Sequence, residues 1–314
     1  MSKKVAFLLL TAGIVSVNAV VVKTGQTRVY RTGDDGTYRS GVAHSYSRYT
    51  LVGIGDVVDD AATNLTWTDF FITPDDQINA AAYCSNLGSG WRLPSIEELR
   101  TLVESNTTNS AYNPVFQEYE PSAYWTSTMF DQDHAWFVSF ENGFEYYYYN
   151  STTVSFDIRC VSDTSTVIRP KRTFSRKNGV VYDSATNLSW QDDGSVSDPA
   201  KTMDWTGAVD YCENLNFAGT GDWKLPNKNE LLSITDMNRT NPAIDTAFQN
   251  TANDGYWASS TLDTNASKHW QVNFAEGNGQ WLEDSYDYRA NVRCVREGKI
   301  ESKPSPSLMM YLLN

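Results

Sequence analysis

Few residues in this chain are placed to do chemistry, and their spacing narrows the options. The histidines are His44, His134 and His269, far apart and outside any H-E-x-x-H or G-x-S-x-G pattern, so neither a zinc-hydrolase helix nor a nucleophile elbow is encoded. The cysteines are Cys84, Cys160, Cys212 and Cys294, without the close Cys/His spacing of a metal site. A non-enzymatic role is therefore expected. Asp131 and Asp133, and further on Asp254 and Asp263, offer oxygens to a hard cation, with calcium the candidate, although such an ion needs roughly six to eight of them. Aromatic side chains supply the remaining option, stacking on a ligand face. The run Tyr146-Tyr147-Tyr148-Tyr149 must turn alternate rings to opposite faces of a strand, and Trp281 occupies a comparable hairpin later on.

The elements that position these residues are written twice. Trp91-Arg92-Leu93-Pro94-Ser95-Ile96-Glu97-Glu98-Leu99 returns as Trp223-Lys224-Leu225-Pro226-Asn227-Lys228-Asn229-Glu230-Leu231. The residue before proline is biased away from helix, and Ser95/Glu98 or Asn227/Glu230 then forms a capping box that starts one. Upstream, the stretches ending in Trp67 and Trp190 read as hairpins whose Asn64 and Asn187 suit a left-handed turn position. Ala80–Leu87 and Ala208–Leu215 have the apolar spacing of short helices. Downstream, 104–123 and 236–255 are irregular and long enough to carry function. Glu118 and Glu120 of the first of these loops join Tyr146, Tyr148 and Trp281 as candidate ligand contacts. Alternating strands follow, and each copy closes on Arg-Cys-Val, at Cys160 and Cys294. The offset between copies grows from 123 residues at Trp67/Trp190 to 134 at Cys160/Cys294, so insertions fall in loops. The Trp pairs 67/190, 91/223, 125/257 and 136/270 recur on strand or helix-start positions and are expected in the core. Arg159 and Arg293 are expected to pair with buried acids.

Each copy is about as long as a complete domain. The division is a leader over 1–19, an extended segment over 20–50 that packs on the first domain or is loose, domains over 51–162 and 178–297, a basic linker over 163–177 and a tail over 298–314. The leader reads as a secretory signal: Lys3 and Lys4, a short apolar run, then Val17-Asn18-Ala19. It is too short to span a bilayer, so no membrane insertion is expected. In an exported chain four cysteines point to disulfides, and the repeat selects Cys84–Cys160 and Cys212–Cys294 from the three pairings. The net charge of −13 disfavours nucleic acid and sulfated glycosaminoglycan as partners.

The ordered set of Asp-led turn, Tyr-Cys helix, Trp-[Arg/Lys]-Leu-Pro, Tyr-Trp, Trp-x-Val-x-Phe and Arg-Cys-Val, occurring twice, resembles the Lcl C-terminal domain family, named from the tail domain of the Legionella collagen-like adhesin. The resemblance implies an α+β fold of tandem C-type-lectin-like domains, each with two short helices, a curled antiparallel sheet and a long loop region, with a disulfide from first helix to last strand. It also implies extracellular binding or adhesion. The sugar-binding triplet of calcium-dependent lectins of that fold is incomplete here: Glu120-Pro121-Ser122 and Trp125-Thr126-Ser127 lack the amide and the strand acids. The expected function is an exported, periplasmic or secreted protein that recognises a surface glycan or protein through its loops and outer hairpins. The alternative is a non-catalytic structural or assembly component of the cell envelope.

Overall fold

Alternating apolar residues make the strands, and the internal repeat makes them twice. The computed structural model describes residues 20–300 except 75, 109–110, 119, 152–153, 164–171 and 284–287. The leader, most of the linker and most of the tail lie outside the described residues. In the first half, β1 (Tyr46–Leu51), β2 (Gly55–Asp60), β3 (Leu65–Thr68) and β7 (Val161–Asp163) form an antiparallel sheet in the order β1-β2-β3-β7. A second sheet joins β4 (Ala123–Met129), β5 (His134–Ser139) and β6 (Glu145–Tyr149). The second half repeats both. One sheet holds β8 (Phe174–Lys177), β9 (Val180–Asp183), β10 (Leu188–Gln191) and β14 (Val295–Glu297); the other holds β11 (Gly255–Leu262), β12 (Asn265–Asn273) and β13 (Asn278–Glu283). Helices are few and short: α1 (Asp35–Tyr38), α2 (Gln77–Asn86), α3 (Ile96–Leu99), α4 (Trp205–Glu213) and α5 (Lys228–Leu232).

The repeated motifs act through side-chain bonds that the two halves share. Asp60 accepts the Ala62 amide at 3.0 Å and the Thr63 hydroxyl at 2.7 Å, and Asp183 does the same for Ala185 and Thr186 at the same distances. Asn64 and Asn187 then take φ of 57° and 58°, which asparagine tolerates better than most residues. Both capping boxes form, and their glutamates do more than cap. Glu98 also holds Arg92, and Glu230 holds Lys224 at 2.6 Å, so one carboxylate ties the helix start to the strand before it. All eight recurring tryptophans are buried. The disulfides are Cys84–Cys160 and Cys212–Cys294, each joining α2 or α4 to the residue before the last strand.

Arg159 departs from the expected pairing with an acid. It donates to the carbonyls of Thr68, Asp69 and Glu118 and lies over the Phe116 ring at 4.4 Å. Its counterpart Arg293 does reach a carboxylate, Asp192 at 3.4 Å, besides the carbonyls of Gln191 and Asn250. The shared task is closing orphan carbonyls of irregular backbone beside the disulfide; the acid is optional.

The N-terminal segment is tied to both halves, and over 26–38 its side-chain bonds reach the second. Gln26 accepts the Thr261 amide at 2.6 Å, Tyr30 donates to Asp263 at 2.9 Å, Tyr38 donates to Glu213 at 2.8 Å, and Arg31 pairs with Asp210. A single helical turn, α1, is capped by Asp34, and a Cβ at Gly36 would stand 1.9 Å from the Arg28 carbonyl oxygen, so only glycine fits there. β1 pairs with β2 from Tyr46, so the end of the 20–50 segment joins the first half's sheet. Nothing local encodes this strap, because its partners stand more than 170 positions away in sequence.

Asp35 pins the strap. It is buried and accepts from Thr24 at 2.5 Å and Ser260 at 2.7 Å. Burial pushes its carboxyl up to about 6, while the two hydroxyls pull the other way. A carboxyl raised in the fold favours the protonated state, so its contribution is full below about pH 4 and is lost as pH rises through about 6. That change is on the order of 3 kcal/mol over the window. Amide exchange over residues 22–40 is therefore expected to be slower at acidic than at neutral pH, after correction for intrinsic rates, and Asp35→Asn should flatten the difference.

Candidate functional site: an aromatic track across both halves

Strand alternation decides which tyrosines are available. In β6, Glu145 and Tyr147 face inward, and Tyr147 stacks on Phe130 with ring centroids 3.7 Å apart. Tyr146 and Tyr148 face out, 37% and 48% exposed. Tyr149, at the strand end, packs on His134 at 4.2 Å on the opposite face.

The outward tyrosines belong to a chain of rings. Tyr148 meets Phe156 at 6.1 Å, Phe156 meets Phe137 at 4.6 Å, and Phe137 meets Tyr146 at 5.7 Å. Tyr146 meets Phe144 at 5.6 Å, and Phe144 meets Trp281 of the second half at 5.1 Å. Lys268 ends the series with its ammonium 3.8 Å from the Trp281 ring centre. Trp125 lies beneath, 4.5 Å from Phe156, and holds the track on the core. Burial and the neighbouring Glu145 carboxylate push the Tyr146 hydroxyl upward, so it stays a neutral donor and acceptor at physiological pH.

The track is confined to one face of the first half and its junction with the second. The β5–β6 pair Phe137/Tyr146 corresponds in register to Gln271/Gln280 in β12–β13, and Tyr148 corresponds to Leu282. In the second half Gln271 is occupied by the Tyr288 hydroxyl at 2.8 Å. The core is shared between halves and this surface is not, as a ligand site grafted on a common frame would be.

Sequence reasoning placed Tyr146, Tyr148 and Trp281 as candidates, and the structure joins all three. It adds Phe137, Phe144, Phe156 and Lys268. The available signal was the aromatic-to-glutamine difference at Phe137/Gln271. Trp281 is only half exposed; its indole donates to the Asn142 carbonyl at 3.2 Å, so it also ties the halves together. Glu118 and Glu120 stand exposed on the first long loop, where their carbonyls receive Arg159 and Tyr124. Among the described residues no hydrogen bond, ion pair or ring contact joins their carboxylates to the track.

The acids considered for calcium are not gathered. Among the described residues no three His, Cys, Asp or Glu side chains come together to hold a metal ion. Asp131 accepts from the Asp133 and His134 amides and from the His134 ring at 2.7 Å, and the bond to His134 holds its carboxyl below the usual range. Asp133 lends its carbonyl to Asn150, Asp254 receives the Gly255 amide, and Asp263 receives the Tyr30 hydroxyl and the Asn106 amide. The carboxylates of Asp131 and Asp254 are taken up by local turns and that of Asp263 by the strap and Asn106. The histidines are also accounted for. His269 is buried, stacked on Trp205 at 3.7 Å and bonded to Thr261, and burial pushes its pKa down to about 4. A cleft of about 330 Å³ where the halves meet is lined by Val20–Val22, the Ala62–Leu65 turn, Arg100, Arg172 and Leu232, and by no histidine.

Compared with known families, a profile described as Lcl C-terminal domain matches residues 56–162 and 179–296. No curated protein matches the chain.

Proposed function

The chain belongs to the Lcl C-terminal domain family, a family of adhesin-associated tail domains, through both of its halves, and from that premise we propose that it recognises a neutral glycan on a surface outside the cytoplasm. The carrying observation is the run of rings from Tyr148 to Trp281, with two exposed tyrosines that have no aromatic counterpart in the second half. Tyrosine and tryptophan present apolar faces to the C–H side of sugar rings while keeping a polar edge for hydroxyls. The chain's net charge of −13 opposes sulfated polysaccharide at long range, so a neutral glycan is favoured over an anionic one. We read each half as C-type-lectin-like, a reading supported by the disulfide from α2 or α4 to the last strand and by the long loop before β4 and β11. Export, to the periplasm or beyond, agrees with the two disulfides. No described helix is long and apolar enough to cross a membrane.

A glycan array probed with the full chain tests the reading. Binding to neutral oligosaccharides and not to sulfated ones is expected, unchanged by a calcium chelator because the loop acids are dispersed. Binding confined to sulfated glycans would contradict it. Binding to no glycan, with stable capture of an envelope protein, would move the function to envelope assembly.

A further inference from the structure

Several contacts between the two halves are related by a two-fold exchange of equivalent residues. The registers Val138↔Glu145 and Val272↔Gly279 make Glu145 equivalent to Gly279, and hence Tyr147 to Trp281 and Asn142 to Glu276. Tyr147 donates to Glu276 at 3.1 Å, and Trp281 donates back to the Asn142 carbonyl at 3.2 Å. Arg100 donates at 2.9 Å to the carbonyl of Leu232, its own equivalent. Glu145 accepts the amide of its equivalent Gly279 at 2.5 Å. Phe144 sits in the core of the second half and Met237 in that of the first. This is the geometry of a two-fold symmetric dimer, built within one chain.

The charges break that symmetry, at Arg100 against Leu232, at Glu276 against Asn142 and at one buried ion pair. Lys228, 1% exposed, stands 3.6 Å from Glu145, donates to the Gly143 carbonyl at 3.0 Å and lies 3.9 Å from the Trp270 ring centre. Its equivalent in the first half is Ile96, and that of Glu145 is Gly279, so the equivalent pair of positions carries no charge. A Cβ on Gly279 would meet the Glu145 carboxylate at 2.8 Å, so the glycine exists to let that acid in. Two first halves in this arrangement would bury two glutamates without the lysine that pairs with each, and would bring two buried Arg100 side chains to the same junction. Two second halves would bury two lysines with no acid. An uncompensated buried charge is far costlier than the pair is stabilising.

We infer that the hairpin edge around Glu145 and Lys228 is a recognition surface for the complementary half of the same chain, and that this pair rejects self-pairing. It also sets the site, because Phe144 and Trp281 of the aromatic track come from opposite sides of the junction.

The test cuts the folded, full-length chain at a protease site placed in the linker and follows the fragments by native mass spectrometry under non-reducing conditions. The two different fragments are expected to remain together one to one. Lys228→Glu should weaken their association by about a hundredfold or more, and Glu145→Lys with Lys228→Glu should recover at least part of it. Fragments that separate on cutting, fragments that pair with themselves, or a double reversal no better than the single change would each overturn the inference. Retained near-ultraviolet circular dichroism of the separated Lys228→Glu fragments distinguishes loss of pairing from loss of fold; if they unfold, the partial recovery by charge reversal decides.

Discussion

Alanine at both Tyr146 and Tyr148 is expected to weaken glycan binding by about a hundredfold while leaving the fold in place. Aromatic residues at the centre of a recognition surface each contribute on the order of 1–2 kcal/mol or more when truncated, and two of them reach that factor. The stability change should stay small, because both rings are well exposed and neither belongs to a buried core cluster. Calorimetric titration of the variant with the array-selected oligosaccharide, beside a thermal melt, separates the two effects. Phenylalanine at the same positions should retain most of the affinity if stacking is the source. If phenylalanine fails as badly as alanine, the hydroxyls carry recognition and the stacking mechanism is wrong.

Loss of a disulfide is expected to have the largest effect on stability. The bonds span 76 and 82 residues, so the chain-entropy account assigns each about 4–5 kcal/mol. Their sulfurs sit in core clusters with Trp91, Trp125, Trp223 and Trp257, so truncation also opens space in packed interior. Cys212→Ala with Cys294→Ala should lower the unfolding free energy by about 2–5 kcal/mol, measured by denaturant titration. The first half should be weakened as well, since Met237 of the second half completes its core and Phe144 of the first depends on the second. An unchanged midpoint would contradict the disulfide's contribution, and a transition confined to one half would show that the halves are energetically independent.

Where local rules decide the structure, the sequence was readable. Asn64 and Asn187 announce their turns because few other residues accept positive φ. The Ser95/Glu98 and Asn227/Glu230 boxes announce their helices because the bonds close within one turn. The cysteine pairing follows from two copies of one domain. Three features were not readable for one physical reason, that they rest on contacts between distant residues. The strap is held by Thr261, Asp263 and Asp210, which no local pattern links to Gln26, Tyr30 or Arg31. Arg159 looked like a charge seeking an acid because its carbonyl partners are invisible as residue types. The junction escaped because its key positions differ between copies: Glu145 against Gly279 and Lys228 against Ile96 look like drift until the halves are seen face to face. The aromatic site was half legible. Tyrosine alternation gives Tyr146 and Tyr148, whereas Phe144 and Phe156 enter only through the packing of the hairpin and the final segment.

The most direct measurement is hydroxyl-radical footprinting of the full chain with and without a saturating neutral oligosaccharide. Protection is expected at Tyr146, Tyr148 and Trp281 together, with the loop carrying Glu118 and Glu120 unchanged. Protection of that loop or of 236–255 without any change at the three aromatics would contradict the account and place recognition elsewhere on the molecule.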